Sequence, residues 1–269
     1  MVEALSGFGL GLRSLHYEDI VTSWPDVDWF EIISEDYLVD GGAPLYYLDQ
    51  IKERYPLAMH GVSMSLGSMD PLNWDYLRRL KKLMRCVQPV LLSDHCCWTG
   101  VDGINLHDLM PMPYTEESVA HISQRIRQVQ DFLERPILIE NVSSYITYAE
   151  STMTEWAFLT AIFENTACQI LLDVNNVYVN AFNHGFDPLD YIHRIPVASV
   201  KQFHLAGHKH CKTHIIDTHD HDVSSAVWEL YRHAVTRFPE VPTLLERDGR
   251  IPPLRELLLE LDRARAVLV

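Results

Sequence analysis

Short apolar runs recur along the chain, and six of them stop on a His, Asp or Glu. They are Leu57-Ala58-Met59-His60, Val90-Leu91-Leu92-Ser93-Asp94-His95, Ile137-Leu138-Ile139-Glu140, Ile170-Leu171-Leu172-Asp173, Val200-Lys201-Gln202-Phe203-His204 and Thr243-Leu244-Leu245-Glu246. Runs of this length without alternation predict strands buried on both faces, as in parallel sheets. Gly7 to Leu12 and Trp29 to Ile33, the latter enclosing Glu31, bring the predicted strands to eight. Between the strands the apolar spacing changes to three and four. Val119, Ile122, Ile126, Val129 and Leu133 form one such stripe and predict a helix over Thr115–Leu133, with Glu116 and Glu117 in its first turn, where acids suit the helix dipole. Pro71 to Cys86 follows the same rule, with Pro71 near the start and Tyr76, Leu77, Leu80, Leu83 and Met84 as its stripe. Shorter helices are expected over His16–Ser23, Pro44–Arg54, Thr154–Thr166, Asp187–Arg194, Ser225–Phe238 and Leu254–Arg265.

Eight strands alternating with eight helices predict an α/β fold, a TIM (β/α)8 barrel, as a single domain over residues 1–269. An open doubly wound sheet would show a Gly-rich phosphate turn after an early strand. Gly7-Phe8-Gly9-Leu10-Gly11 instead lies within the first predicted strand and lacks the third spaced glycine.

In a closed barrel the carboxyl ends of the strands converge on one rim. Six His or acidic side chains placed there are expensive to bury unpaired, so the pattern points to a metalloenzyme. Glu140 and Glu246 each follow three or four apolar residues, and a buried carboxylate needs a cation or several hydrogen bonds. His60 and His95, taken singly, fit structural histidines as well as ligands. Asp173-Val174-Asn175-Asn176 offers a carboxylate and then amides as the strand passes into its loop, although both asparagines also suit a turn. The segment from Phe203 to His221 holds six of the fourteen histidines. His208, His210, His214 and His221 fit a solvated loop as well as a site. His204 ends a strand, and Asp217-Thr218-His219, if extended, would turn both side chains to one side. Nine candidates follow: His60, His95, Glu140, Asp173, Asn176, His204, Asp217, His219 and Glu246. One zinc takes four ligands, so this set implies two or three metals with carboxylates bridging. Imidazoles and carboxylates without thiolate suit iron, manganese or zinc.

Composition narrows the partners. The net charge of −15 argues against a nucleic-acid surface, and no apolar run approaches a membrane span. Five cysteines without framework spacing, and an amino terminus interrupted by Arg13, predict reduced thiols in a cytoplasmic protein without a signal peptide.

Several segments are specific enough to be recognised. Gly9-Leu10-Gly11-Leu12-Arg13, Trp29-Phe30-Glu31-Ile32-Ile33-Ser34-Glu35, His60-Gly61-Val62-Ser63-Met64-Ser65-Leu66-Gly67, Ser93-Asp94-His95, the run from Leu172 to Ala181 and Ile216-Asp217-Thr218-His219 resemble the multinuclear non-heme iron-dependent oxidative enzymes, the DUF692 family. The likeness spans nearly the whole chain and is closer to the general and 3-thiaglutamate-pathway branch than to the methanobactin enzyme. It implies a TIM barrel that holds two or three iron ions in mixed Fe(II)/Fe(III) states through the nine residues above. It also implies O2 as co-substrate and a reactive cysteine in a ribosomally made precursor peptide as the target. The expected outcomes are β-carbon excision from a carboxyl-terminal cysteine, or thiooxazole or oxazolone formation. Asn175 and His184 become candidate contacts to the metal ligands or the substrate. Asp94 and Arg247 stand where the general branch often has Glu and Trp, and both are expected to reshape the substrate pocket. No part of the chain looks like a separate recognition module, so a small partner protein is expected to bind the peptide's leader. The loops Ser63–Asp70, Trp98–Tyr114 and Asn180–Pro188 are expected at the metal-bearing face. Endonuclease IV-type zinc phosphodiesterases, which place His where Asn176 stands, and xylose-isomerase-like sugar enzymes share the scaffold. A non-catalytic metal- or peptide-binding protein is the alternative of another class.

Overall fold

The computed structural model describes residues 5–267. Its strands, in chain order, begin with β1 (Phe8–Gly11), β2 (Trp29–Ile33), β3 (Leu57–Gly61) and β4 (Leu92–His95). A hairpin follows, β5 (Trp98–Val101) with β6 (Ile104–Met110), and then β7 (Leu138–Glu140), β8 (Gln169–Asp173) and β9 (Val200–Leu205). A second hairpin, β10 (His208–His210) with β11 (Ile215–Asp217), precedes β12 (Thr243–Leu245). Eight of these close into a barrel in the order β1-β12-β9-β8-β7-β4-β3-β2, with every neighbouring pair parallel. These are the eight runs that the apolar pattern predicts. Phe30, Met59, Leu92, Leu172 and Phe203 point outward and are sealed between the barrel and its helices, while Trp29, Ala58 and Leu244 form a separate cluster on the barrel's inner side.

The helices are α1 (Tyr17–Ser23), α2 (Ala43–Ile51), α3 (Trp74–Val87), α4 (Glu116–Leu133), α5 (Glu155–Thr166), α6 (Val174–His184), α7 (Pro188–Arg194), α8 (Ser225–Arg237) and α9 (Leu254–Ala266). Local chemistry sets their starts. Asn73, Thr115 and Ser224 accept from the backbone N–H groups of Tyr76, Ser118 and Val227, which leaves fewer amides unpaired in the first turns. No helix among the described residues is long and apolar enough to cross a membrane.

Helix α6 departs from expectation, because the segment after Asp173 reads as loop in the sequence. Val174-Asn175-Asn176-Val177-Tyr178-Val179-Asn180 is rich in β-branched residues and asparagine, both weak helix formers. Tertiary packing overrides that preference. Asp173 caps the helix by accepting from Asn176 N at 2.6 Å, and Gly185 ends it at φ +75°, a conformation that glycine adopts without strain. The asparagines on its buried face tie it to its surroundings: Asn176 Nδ2 donates to Asn141 O and Asn180 Nδ2 to Val142 O, while Ser144 N donates to Asn180 Oδ1. The helix thus grips the backbone of the segment that follows β7. Only Gly185 to Asp187 remain of the loop expected over Asn180–Pro188. The loop expected over Trp98–Tyr114 is largely the β5–β6 hairpin.

Candidate metal centre

Register brings the predicted ligands to one level. His95 lies opposite Glu140 across β4–β7, Asp173 opposite His204 across β8–β9, and His204 opposite Leu244 across β9–β12. Glu246 directly follows β12, with its N–H held by Leu205 O at 2.8 Å. Seven of the nine candidates (His60, His95, Glu140, Asn176, Asp217, His219 and Glu246) line one cavity of about 180 Å³. Asp173 and His204, both fully buried, offer their ligand atoms beneath it.

Four overlapping groups have ligand atoms mutually within 4.8 Å: His60, His95 and Glu140; Glu140, Asp173 and His204; Asp173, His219 and Glu246; and Glu31, His204 and Glu246. Glu140 and Asp173 each belong to two of them. In the first group Nε2 of His60 and of His95 lie 3.2 and 3.3 Å from Glu140 Oε2. Glu246 Oε2 lies 3.0 Å from His204 Nδ1 and 3.2 Å from His219 Nδ1, which links the second group to the third.

The imidazoles are oriented from behind. His60 Nδ1 meets Ser93 Oγ at 2.7 Å, His95 Nδ1 meets the Gly61 carbonyl at 3.1 Å, and His204 Nε2 meets Glu31 Oε1 at 2.9 Å. With an acceptor beside its outward nitrogen, each ring can keep its proton there and turn the inward nitrogen to a metal, as metal-binding histidines require. Glu31 is in turn fixed by Gln202 Nε2 at 2.6 Å. Arg13 reaches over the end of β1 to Asp248 at 2.5 Å and Glu246 at 3.6 Å, and Asp248 Oδ2 lies 3.2 Å from His219 Nδ1.

Five buried polar atoms around the cavity make no well-aligned hydrogen bond: Asp173 Oδ2 and Asn176 Oδ1, and also Glu140 Oε2, His204 Nδ1 and His219 Nε2, which crowd against one another's groups at 2.8 to 3.3 Å. One such atom in a protein interior costs about 1–3 kcal/mol, so five converging on one cavity mark the place of something that binds them. All five are hard or borderline donors, which fits oxygen- and nitrogen-seeking cations. Charge agrees. Burial works against an ionised Glu140, yet His95, His204 and His60 outweigh it and hold its carboxyl down at about 2. Burial drives Asp173 well above the ordinary carboxyl range, with Glu140 and Asp217 adding to the rise and His219 opposing it. Burial also lowers the basicity of His60 and keeps it neutral, as a ligand must be. Glu31, Glu140, Asp173, Asp217 and Glu246 bring five carboxylates to four imidazoles, a charge that calls for more than one cation.

The two asparagines separate clearly. Asn175 spends both ends of its amide, Nδ2 on Asp217 Oδ1 at 2.8 Å and Oδ1 with His208 Nδ1 at 2.7 Å, whereas Asn176 keeps Oδ1 free. Asn175 therefore contacts the candidate ligand Asp217 from the side. His184 lies outside the metal cavity, at the end of α6, with Nε2 on Ser144 Oγ at 2.8 Å. Asp217 and His219 do meet, at 2.8 Å, but not through an extended strand: His219 sits at φ +47°, and this turn swings its ring back. Gly207 lets the turn close, since a Cβ there would lie 2.0 Å from His221 O. His208 is buried and stacked on Tyr178, while His210 and His214 face outward, so the His-rich tract is a hairpin with only one end in the site.

Neither Asp94 nor Arg247 lines the metal cavity. Asp94 is sealed behind the rim and accepts from Met64 N and from its neighbour His95 N; a Cβ on Gly61 would lie 2.6 Å from its Oδ2. Arg247 turns away from the cavity to Asp222 and Glu260, both at 2.9 Å. The sequence reading missed the supporting shell of Glu31, Ser93, Arg13 and Asp248. Glu31 carried the same signal as Glu140, a carboxylate inside an apolar run. The other three act across strands, and nothing local marks them.

The sequence profile described as RiPP precursor modification enzyme MbnB/TglH/ChrH matches residues 7–269. The chain belongs to this family. It is 53% identical over 266 residues to a UPF0276 protein of Caulobacter vibrioides, covering 98% of this chain and 95% of that one. It is 49% identical to the UPF0276 protein AM1_3026 of Acaryochloris marina, covering 98% and 96%. Among solved structures, endonuclease IV from Thermus thermophilus superposes with a TM-score of 0.64 at 14% identity, covering 97% of this chain and 98% of that one. A D-tagatose 3-epimerase-like protein gives 0.64 at 11% identity, covering 97% of each chain. These likenesses carry the barrel fold alone. The family carries more: its members are enzymes that modify the precursors of ribosomally made peptides.

Proposed function

We propose that the protein is an iron- and O2-dependent oxidase of cysteine in a ribosomally synthesised precursor peptide. The observation that carries this reading is the convergence of buried donor atoms without well-aligned partners, and of the carboxylates of Glu140, Asp173, Asp217 and Glu246, on and beneath one small open cavity. His60, His95 and Glu140 would hold one iron, and Glu140, Asp173, His204 and Glu246 a second. Asp173, Asn176, Asp217 and His219 would hold a third where one binds. Bound iron would supply the oxidation by O2. The chain's own part is to fix the ions at one spacing through the shared carboxylates and to present an open side to the substrate thiolate. A bound cation favours the thiolate over the thiol.

Carboxylates and neutral imidazoles support iron over the soft metals, and the peptide-modifying family supports a peptide over DNA or sugar. A small partner that binds the leader would supply recognition of the precursor. The test is coexpression with the precursor encoded beside the gene, followed by mass spectrometry. Loss of one CH2 unit marks excision of the cysteine β-carbon, and loss of four hydrogens marks a thiooxazole-type ring. A peptide that stays unmodified with partner, iron and O2 present counts against the reading for that precursor.

A further inference from the structure

The segment that follows β7 is a wall with two sides. Val142 and Ser143 face the metal cavity, whereas Ser144, Ile146, Thr147 and Tyr148 face a second cavity of about 260 Å³. That second cavity is smaller than the usual small-molecule site and suits one long side chain. Across from that wall stand the aromatic rings of Tyr114, Trp156 and Phe186, with Met112 and Met153 between them in the lining. Trp156 is held edge-on to Phe186 at 5.7 Å and to Tyr191 at 5.6 Å, so the walls are formed in advance.

Glu155 also lines this cavity, at the start of α5. Its Oε2 accepts from Asn180 Nδ2 at 3.0 Å, and the Tyr191 hydroxyl lies beside the carboxyl. Burial drives its carboxyl up to about 7, and no cationic side chain offsets the rise. Neither this cavity nor the two grooves that adjoin it, which share Thr147, His184, Met112 and Tyr148 with it, are lined by any Lys or Arg among the described residues. His184, the one base on the lining, spends Nε2 on Ser144. A carboxylate among aromatic faces, with no cation of its own, is the arrangement that receives an organic cation.

We propose that this cavity is a socket for an ammonium or guanidinium side chain of the substrate peptide, with Glu155 as counter-ion and Tyr114, Tyr148, Trp156 and Phe186 as walls. The identity of the occupant rests on the peptide reading of the neighbouring metal centre. The shared wall means that a peptide whose cysteine reaches the metals can lay a nearby Lys or Arg into the socket. A basic residue near the modified cysteine is therefore a specificity element.

Isothermal titration at pH 8, where Glu155 is ionised, tests the socket without any turnover. The probes are N-acetyl-lysine methylamide, N-acetyl-arginine methylamide and the neutral N-acetyl-norleucine methylamide, titrated into the full metal-loaded chain. At least one basic amide should bind saturably, and the neutral one at least about tenfold more weakly. Glu155→Gln should remove that preference. Phe186→Leu, which leaves the carboxylate in place, should weaken the basic amide several-fold. Equal binding of the neutral amide, no binding of either basic amide, or an unchanged preference in Glu155→Gln overturns the socket, whatever the metal centre does. If a basic amide binds as stated but no peptide is modified, the socket stands and the peptide reading fails.

Discussion

His204 shows how one residue is made into a candidate ligand. Its Nε2 is engaged by Glu31 at 2.9 Å, which leaves Nδ1 turned to Glu246 and Glu140. Outer carboxylates of this kind set both tautomer and ring angle. Glu31→Gln is therefore expected to weaken metal binding about tenfold to a hundredfold in a chelator competition. His204→Ala or Glu246→Ala should lower metal content outright and abolish turnover. His204 was legible in the sequence as a polar end to an apolar run. Glu31 was visible in its own run, but its role was not, because the contact joins two strands far apart in the chain. A second residue, Glu155, titrates. Burial raises its carboxyl from an ordinary 4.5 to about 7, so the folded state binds a proton that the unfolded state has released between those values. Stability should accordingly fall as pH rises from about 4.5 to 7 and stay lower above, by about 3 kcal/mol at most. Denaturant titrations should find Glu155→Gln more stable than the parent at pH 8 and nearly equal to it at pH 4.5. A stability gap that does not change with pH would contradict the shift.

Among the elements, α6 and the turn that carries His219 determine the shape of the site, and neither was legible. Local preference argued for a loop after Asp173. The helix forms because Asp173 caps it and its three buried asparagines pair with neighbours in the surrounding structure. Asp173 itself was legible, but as a strand end, not as the residue that caps a helix with one oxygen and offers the other to the cavity. The turn is tied down from α9. Glu260 accepts from Val223 N at 2.7 Å and from Arg247 at 2.9 Å, and Arg247 also grips Asp222. Arg247→Met would leave Glu260 buried without its cation, a change that costs about 3–5 kcal/mol in comparable cases. Thermal unfolding should show a fall of that size, because Arg247 braces the turn and does not line the cavity. A raised KM with unchanged stability would return Arg247 to the substrate pocket.

At the scale of the molecule, the barrel does the gathering. Six strands bring His, Asp and Glu to one rim, and the pattern was readable because each of those residues closes a short, largely apolar run. The eight strands and most of the helices followed from the same periodicities. The supporting shell and the socket behind the wall did not, since both are built by residues that meet only when the barrel closes. The proposed cluster of two or three irons on this rim is open to elemental analysis with Mössbauer spectroscopy on anaerobically prepared protein. Two to three irons per chain, in mixed ferrous and ferric states, are expected, with their loss in His204→Ala. Stoichiometric zinc, with no activity that depends on iron, would contradict the proposal.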